Sequence, residues 1–209
     1  MTRSTLLASL LLLSCSKAEP VPPEQSARLE LGKPEPGASA TAAALASAGA
    51  VDRLPGPPSD QPALLDVGAP APNLEAIAHN GEKVKLSDLK GKPVVVYFYP
   101  KDNTPGCTVE AQEIRDLWKE IKGTQAVVIG VSTDDEASHQ AFAQQYDLPF
   151  LLVPDEKGQI AAKFGVPLVN GKARRVTFVI GKDGAVARVF PDVKPKGHGQ
   201  EILEAVKAI

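Results

Sequence analysis

Cysteine is scarce in this chain: 209 residues hold two, Cys15 and Cys107, beside one methionine and one tryptophan. Two thiols exclude a disulfide-stapled scaffold, and with Cys15 committed to processing at the N-terminus, Cys107 stands alone as a candidate reactive group. Aromatic residues are also few and unevenly placed, since none of the ten precedes Tyr97. The front of the chain therefore lacks the material for a packed core. Charge of one sign is missing too: the net charge is −2 with no basic block, which speaks against a nucleic-acid partner. The N-terminal apolar run, Leu6 to Leu13, is eight residues and too short to span a bilayer. The three histidines, His79, His139 and His198, have no spacing that converges on a metal, so neither a metal nor any other cofactor is assigned.

What the front of the chain does have is an address. Arg3, the apolar stretch and Leu12-Leu13-Ser14-Cys15 resemble a bacterial lipoprotein signal. That resemblance implies removal of residues 1–14 and acylation of Cys15, with attached acyl chains anchoring the protein to a membrane. Residues 15–66 then read as a disordered tether, with Pro20, Pro22, Pro23, Pro34, Pro36, Pro55, Pro57, Pro58 and Pro62 and an alanine-rich stretch with a transient helix near Ala42 to Ala48. About 50 flexible residues have a root-mean-square span of roughly 40 Å. The expected location is the bacterial cell envelope, lipid-anchored and facing the periplasm, with Ser16 pointing to the outer membrane.

Residues 67–209 form the globular part, and 143 residues are enough for one domain that buries about two-thirds of its unfolded surface. Val94 to Tyr99 and Ala126 to Val131 are continuous apolar runs that read as buried strands. Between them Ala111, Ile114, Leu117, Trp118 and Ile121 recur at helical spacing, predicting one helix that ends at Gly123 and turns Glu110, Glu113, Asp116 and Glu120 outward. Thr104 or a neighbour caps it, with Pro105 in its first turn. Further elements are a helix over 135–145, a strand over 150–153, a short helix over 159–164, a hairpin of 175–180 with 185–190, and a last helix over 199–208 that His198 helps begin. That order predicts an α/β fold, a thioredoxin-like sandwich with a mixed central sheet flanked by helices.

Cys107 falls where a strand ends and a helix begins, facing unpaired backbone N–H groups and the positive end of the helix dipole. Ionisation alone is a weak device. Lowering a thiol's pKa by about 2.5 units multiplies the thiolate at neutral pH roughly 30-fold, but a Brønsted slope of about 0.4–0.5 gives back roughly 13-fold in nucleophilicity. The rest must come from donors that stabilise charge in the transition state. Thr104, the amides of Gly106 and Cys107, and an arginine from the strand opened by Arg174-Arg175 are the available groups. Strand alternation places Arg175 with Thr177 on one face and Arg174 with Val176 and Phe178 on the other.

Pro100, Thr104 and Cys107 form a Pro-x-x-x-Thr-x-x-Cys pattern within Tyr-Pro-Lys-Asp-Asn-Thr-Pro-Gly-Cys-Thr, and Arg175-Val176-Thr177-Phe178 follows downstream. These runs resemble the peroxiredoxins, in particular the bacterioferritin-comigratory subfamily, and the likeness extends from Gly68 to His198. The resemblance implies a thiol-dependent peroxidase acting on hydrogen peroxide and organic hydroperoxides. It assigns Cys107 as peroxidatic nucleophile, Thr104 and Arg175 as binders of the peroxide, Pro100 as a shield over the sulfur, and Glu110 as a support for Arg175. It further implies a monomer.

One departure matters. Many relatives carry a resolving cysteine five residues after the first, and Gln112 stands there. The sulfenic acid on Cys107 must then be reduced by an external thiol, a thioredoxin-like protein or a small thiol, and is open to overoxidation. Dithiol exchange on its own is excluded, because Glu110 occupies the position a Cys-x-x-Cys pair needs. The alternatives are a non-catalytic redox-sensing or binding envelope lipoprotein, in which oxidised Cys107 conjugates to a partner, and a domain that keeps the fold without activity.

Overall fold

The computed structural model describes residues 63–209. The signal segment, Cys15 and the tether up to residue 62 lie outside the described residues. Leu64 and Leu65 already pack against the core, so the folded part begins slightly before the expected boundary at 67.

Nine strands and five helices alternate along the described residues. A short hairpin comes first, β1 (Glu75–Ile77) and β2 (Lys83–Lys85), followed by a 3-10 turn at Leu86–Leu89. Then come β3 (Val94–Phe98), α1 (Pro105–Asp116), α2 (Trp118–Gly123), β4 (Val127–Ser132), α3 (Glu136–Gln145), β5 (Leu151–Pro154) and α4 (Gln159–Lys163). A two-residue ladder, β6 (Leu168–Val169) with β7 (Lys172–Ala173), leads into β8 (Val176–Ile180), β9 (Val186–Phe190) and α5 (His198–Lys207). The central sheet has the order β5-β4-β3-β8-β9, parallel across β5, β4 and β3 and antiparallel from β3 to β8 and β9. This is the mixed, helix-flanked sandwich of the thioredoxin type that the element order predicts.

Period-two alternation on the central strand divides the core into two layers. Val94, Val96 and Phe98 face a cluster with Phe164, Phe178 and Ile160, closed by α4 and the β1–β2 hairpin. Val95, Tyr97 and Tyr99 face the other way, onto Ile114, Ile121, Phe142, Ile202 and Val206 from α1, α2, α3 and α5. Because helices cover both faces, β3 is buried at every position, which explains its unbroken apolar run.

Two expectations about α1 need correction. The helix is interrupted: Leu117 leaves helical geometry at ψ 9°, and α2 restarts at Trp118. The three- and four-residue spacing runs unbroken across this point, so periodicity carries no sign of it. Glu110 does not turn outward either; it is fully buried, while Glu113 and Asp116 keep some exposure. The β1–β2 and β6–β7 pairs were missed because two or three residues show no alternation.

Helix α5 lies against α1 at Gly199, where a Cβ would stand 2.9 Å from the backbone carbon of Glu113 and 3.0 Å from its carbonyl oxygen. Backbone on both sides leaves no flexible atom to yield. Gly199→Ala is therefore expected to destabilise the fold by about 1–3 kcal/mol, read as a lower urea midpoint at unchanged slope.

Candidate active site

The chain leaves the sheet at the carboxyl end of β3 and turns through Pro100–Thr104 into α1. Asn103 takes a left-handed conformation, φ 55°, that a short amide side chain tolerates. Thr104 occupies the N-cap position with extended dihedrals and Pro105 begins the helix, as the sequence predicts. The Thr104 side chain makes no capping bond; its hydroxyl donates to the Lys101 carbonyl at 3.0 Å. The first helical amide to find a chain partner is Thr108 N–H, which donates to Thr104 O at 2.9 Å. The amides of Gly106 and Cys107 are left as first-turn donors beside the sulfur.

Cys107 is 2% exposed and is the free cysteine among the described residues. Arg175 reaches it from the residue before β8, since the antiparallel pairing of β8 with β3 sets Val176 opposite Phe98 at the strand end from which Cys107 follows. Its Nη2 donates to Cys107 Sγ at 3.3 Å, and its Nη1 donates to Glu110 Oε2. Arg174 is exposed, on the opposite side from Arg175 as strand alternation separates them. The guanidinium also closes over Gly106, where a Cβ would meet Nη2 at 3.3 Å and Pro195 Cγ at 3.4 Å. Pro195, in the loop before α5, was not found from sequence, and neither was the Thr177 and His198 pair beneath Arg175. Thr177 Oγ1 lies 2.8 Å from His198 Nε2, whose Nδ1 is 2.7 Å from Glu201 Oε2. No pattern in the linear sequence joins these positions.

The site thus brings together Cys107, Arg175 and Glu110, with Thr104 three residues before the sulfur. Pro100 stands half-buried at the bend leaving β3, in the loop that carries Thr104. Cys15 lies outside the described residues. His79 receives the Leu152 amide on Nδ1, and His139 bonds Asp102. A cavity of about 310 Å³ opens at the opposite end of the sheet, between Lys85, Val94 and Ile180, away from the sulfur.

Burial opposes the charge on Arg175, but Glu110 and Cys107 outweigh it and hold the guanidinium protonated. Glu110 is pulled two ways. Burial pushes its carboxyl up to about 7, while Arg175 works in the opposite sense. Its Oε1 and the hydroxyl of Tyr97 are both buried without a partner. A carboxyl whose folded pKa exceeds its ordinary 4.5 holds a proton that the unfolded chain has already lost, so the stability it contributes is complete at low pH and fades as pH climbs through about 7. Urea denaturation at pH 5 and pH 8 is expected to show a fall in stability for the parent that is smaller in Glu110→Gln.

The sequence model of the AhpC/TSA family matches residues 67–189. A putative peroxiredoxin bcp of Coxiella burnetii is 40% identical over 146 residues, covering 66% of this chain and 97% of the relative. Peroxiredoxin Bcp of Bacillus subtilis is 43% identical over 150 residues, covering 68% and 96%. Among solved structures, the bacterioferritin comigratory protein of Xanthomonas campestris, described for its alkyl peroxide reduction activity, superposes with a TM-score of 0.64 at 31% identity over 68% of this chain and 98% of its own. With a thiol at the head of α1 under an arginine from the neighbouring strand, this chain belongs to the AhpC/TSA family, as a peroxiredoxin of the bacterioferritin-comigratory type.

Proposed function

We propose that this peroxiredoxin is a one-cysteine thiol peroxidase, with Cys107 as nucleophile and Arg175, Thr104, Pro100 and Glu110 as its supporting groups. The observation that carries the assignment is the 3.3 Å contact from Arg175 Nη2 to Cys107 Sγ. A permanent cation there meets the negative charge that forms as the peroxide bond breaks. The Thr104 hydroxyl hydrogen is engaged by Lys101 O, so its oxygen presents lone pairs able to accept the peroxide O–H. Pro100, half-buried at the bend leaving β3, is the residue this reading gives the role of shielding the sulfur.

The reaction runs in two halves. The Cys107 thiolate attacks the terminal oxygen of ROOH, an S–O bond forms as the O–O bond breaks, and RO⁻ takes up, through solvent, the proton the thiol gave up. Sulfur is oxidised to sulfenic acid and the peroxide is reduced to ROH. An external thiol then displaces water to form a mixed disulfide, and a second thiol releases Cys107 and carries away the disulfide. Hydrogen peroxide and organic hydroperoxides both fit a site that grips only the O–O unit, and the activity described for the Xanthomonas relative supports the organic class. The external reductant, a thioredoxin-like protein or a small thiol, follows from Gln112 at the resolving position.

The same proposal places the protein in the bacterial envelope, facing the periplasm as a monomer, tethered through acylated Cys15 to the outer membrane. Cys15→Ala is expected to move the protein from the membrane fraction to the soluble envelope fraction, and an unchanged distribution overturns the anchor. For the chemistry, intact-mass analysis after one equivalent of peroxide is expected to show a gain of about 16 Da on the parent and none on Cys107→Ser. Stopped-flow oxidation of Arg175→Ala is expected to be about a hundredfold slower, the scale of losing one aimed electrostatic donor. Oxidation of that variant at the parent's rate removes Arg175 from the mechanism.

A further inference from the structure

The loop that carries Pro100 and Thr104 is held from behind by a buried polar cluster. Asp102, in the middle of the loop, is 3% exposed. Its Oδ1 accepts from Tyr99 OH at 2.7 Å; its Oδ2 accepts from Ser138 Oγ and His139 Nδ1, both at 2.8 Å. Its backbone N–H donates to Asp134 Oδ2 at 2.9 Å, and that same oxygen accepts from Ser132 Oγ at 2.7 Å. Burial acts to raise the Asp102 carboxyl, yet the bonds from His139, Tyr99 and Ser138 outweigh it and hold the group below its ordinary value. A carboxylate only accepts, so His139 must carry a ring proton on Nδ1, and Nε2 is left outside that bond.

That Nε2 is buried without a partner, and His139 is wholly inaccessible. An apolar side chain would fill the space without stranding a polar atom, so packing alone gives no reason for histidine here. The bond to Asp102 does. Two residues past Asp102 the Thr104 hydroxyl donates to the carbonyl of Lys101, the residue immediately before Asp102. Fixing Asp102 therefore fixes the carbonyl that sets the direction of the Thr104 oxygen, across a turn in which Asn103 is left-handed.

Resting on the peroxidase reading, we infer that Asp102 and His139 are positioning residues for peroxide reduction: the Asp102–His139 bond aims the Thr104 hydroxyl and the Pro100–Thr104 wall at the peroxide over Cys107. A reacting group misplaced by about an ångström costs on the order of a hundredfold, so a partial shift is expected to cost tenfold or more. Alkylation of the same sulfur by iodoacetamide needs neither Thr104 nor an aligned O–O bond, and it reports accessibility and ionisation of the thiol alone.

The test measures both rates at Cys107 in the full chain by stopped flow and intact mass. His139→Leu removes the donor at similar volume, and His139→Gln restores an N–H donor. The expected result is peroxide oxidation at least tenfold slower in His139→Leu, alkylation within about twofold of the parent, and substantial recovery of oxidation in His139→Gln. Oxidation of His139→Leu at the parent's rate overturns the inference, as does a fall in both rates by the same factor, which marks a general structural staple. Should His139→Leu fail to fold, Ser138→Ala removes one donor to the same oxygen from a half-buried position, with oxidation a few-fold slower expected and unchanged oxidation overturning. A parent inert to peroxide sinks the peroxidase reading itself, whereas a reactive parent matched by its variants sinks the positioning role alone.

Discussion

A single guanidinium serves two acceptors at this site. Arg175 gives one nitrogen to the Glu110 carboxyl and another to the Cys107 sulfur, with all three groups at least partly withdrawn from water. Burial holds the Glu110 carboxyl above its ordinary value against the pull of Arg175, which favours a proton on it. A neutral Glu110 can still accept the Nη1–H bond that orients the arginine while leaving its charge to sulfur. When the peroxide bond breaks, that charge is already in place, and no solvent must reorganise around the departing oxygen.

The sheet exists, for this purpose, to bring two strand ends together. Cys107 follows the carboxyl end of β3, and Arg175 precedes the amino end of β8; antiparallel pairing makes these the same edge of the sheet. Both strands are buried along their whole length, so their register is fixed by core packing and the arginine is delivered without a flexible lead. Helix α1 adds a second coupling. Glu110 points inward to Arg175, and Glu113, one turn on, accepts the Gly197 amide at 2.9 and 2.7 Å at the start of α5. The nucleophile's helix thus braces both the arginine and the helix that packs against it.

Much of this was legible in the sequence because it depends on local rules. The apolar run at 94–99, the turn chemistry at 100–105 and the helical spacing after it located Cys107 at a helix head; alternation separated Arg174 from Arg175, and the motif resemblance chose Arg175. The motif resemblance assigned Glu110 a support for Arg175, whereas amphipathic periodicity turned it outward. Periodicity failed there because a charged residue enters a core once a partner is waiting, and that partner lies 65 residues downstream. The Asp102–His139 bond was invisible for the same reason: its members are 37 residues apart, and each alone reads as an ordinary loop acid and an isolated histidine.

By itself the sequence determined that one thiol is available in the globular part, that it sits in a helix's first turn, and that no resolving cysteine follows it. These are properties of neighbouring residues and of composition. Tertiary structure alone decided that the sulfur is nearly inaccessible, that Arg175 spans Glu110 and Cys107, and that a buried carboxylate pins the loop between Pro100 and Thr104. The physical reason is that charge interactions strengthen when packing excludes water, and which distant groups share that dry space follows from the folded sheet.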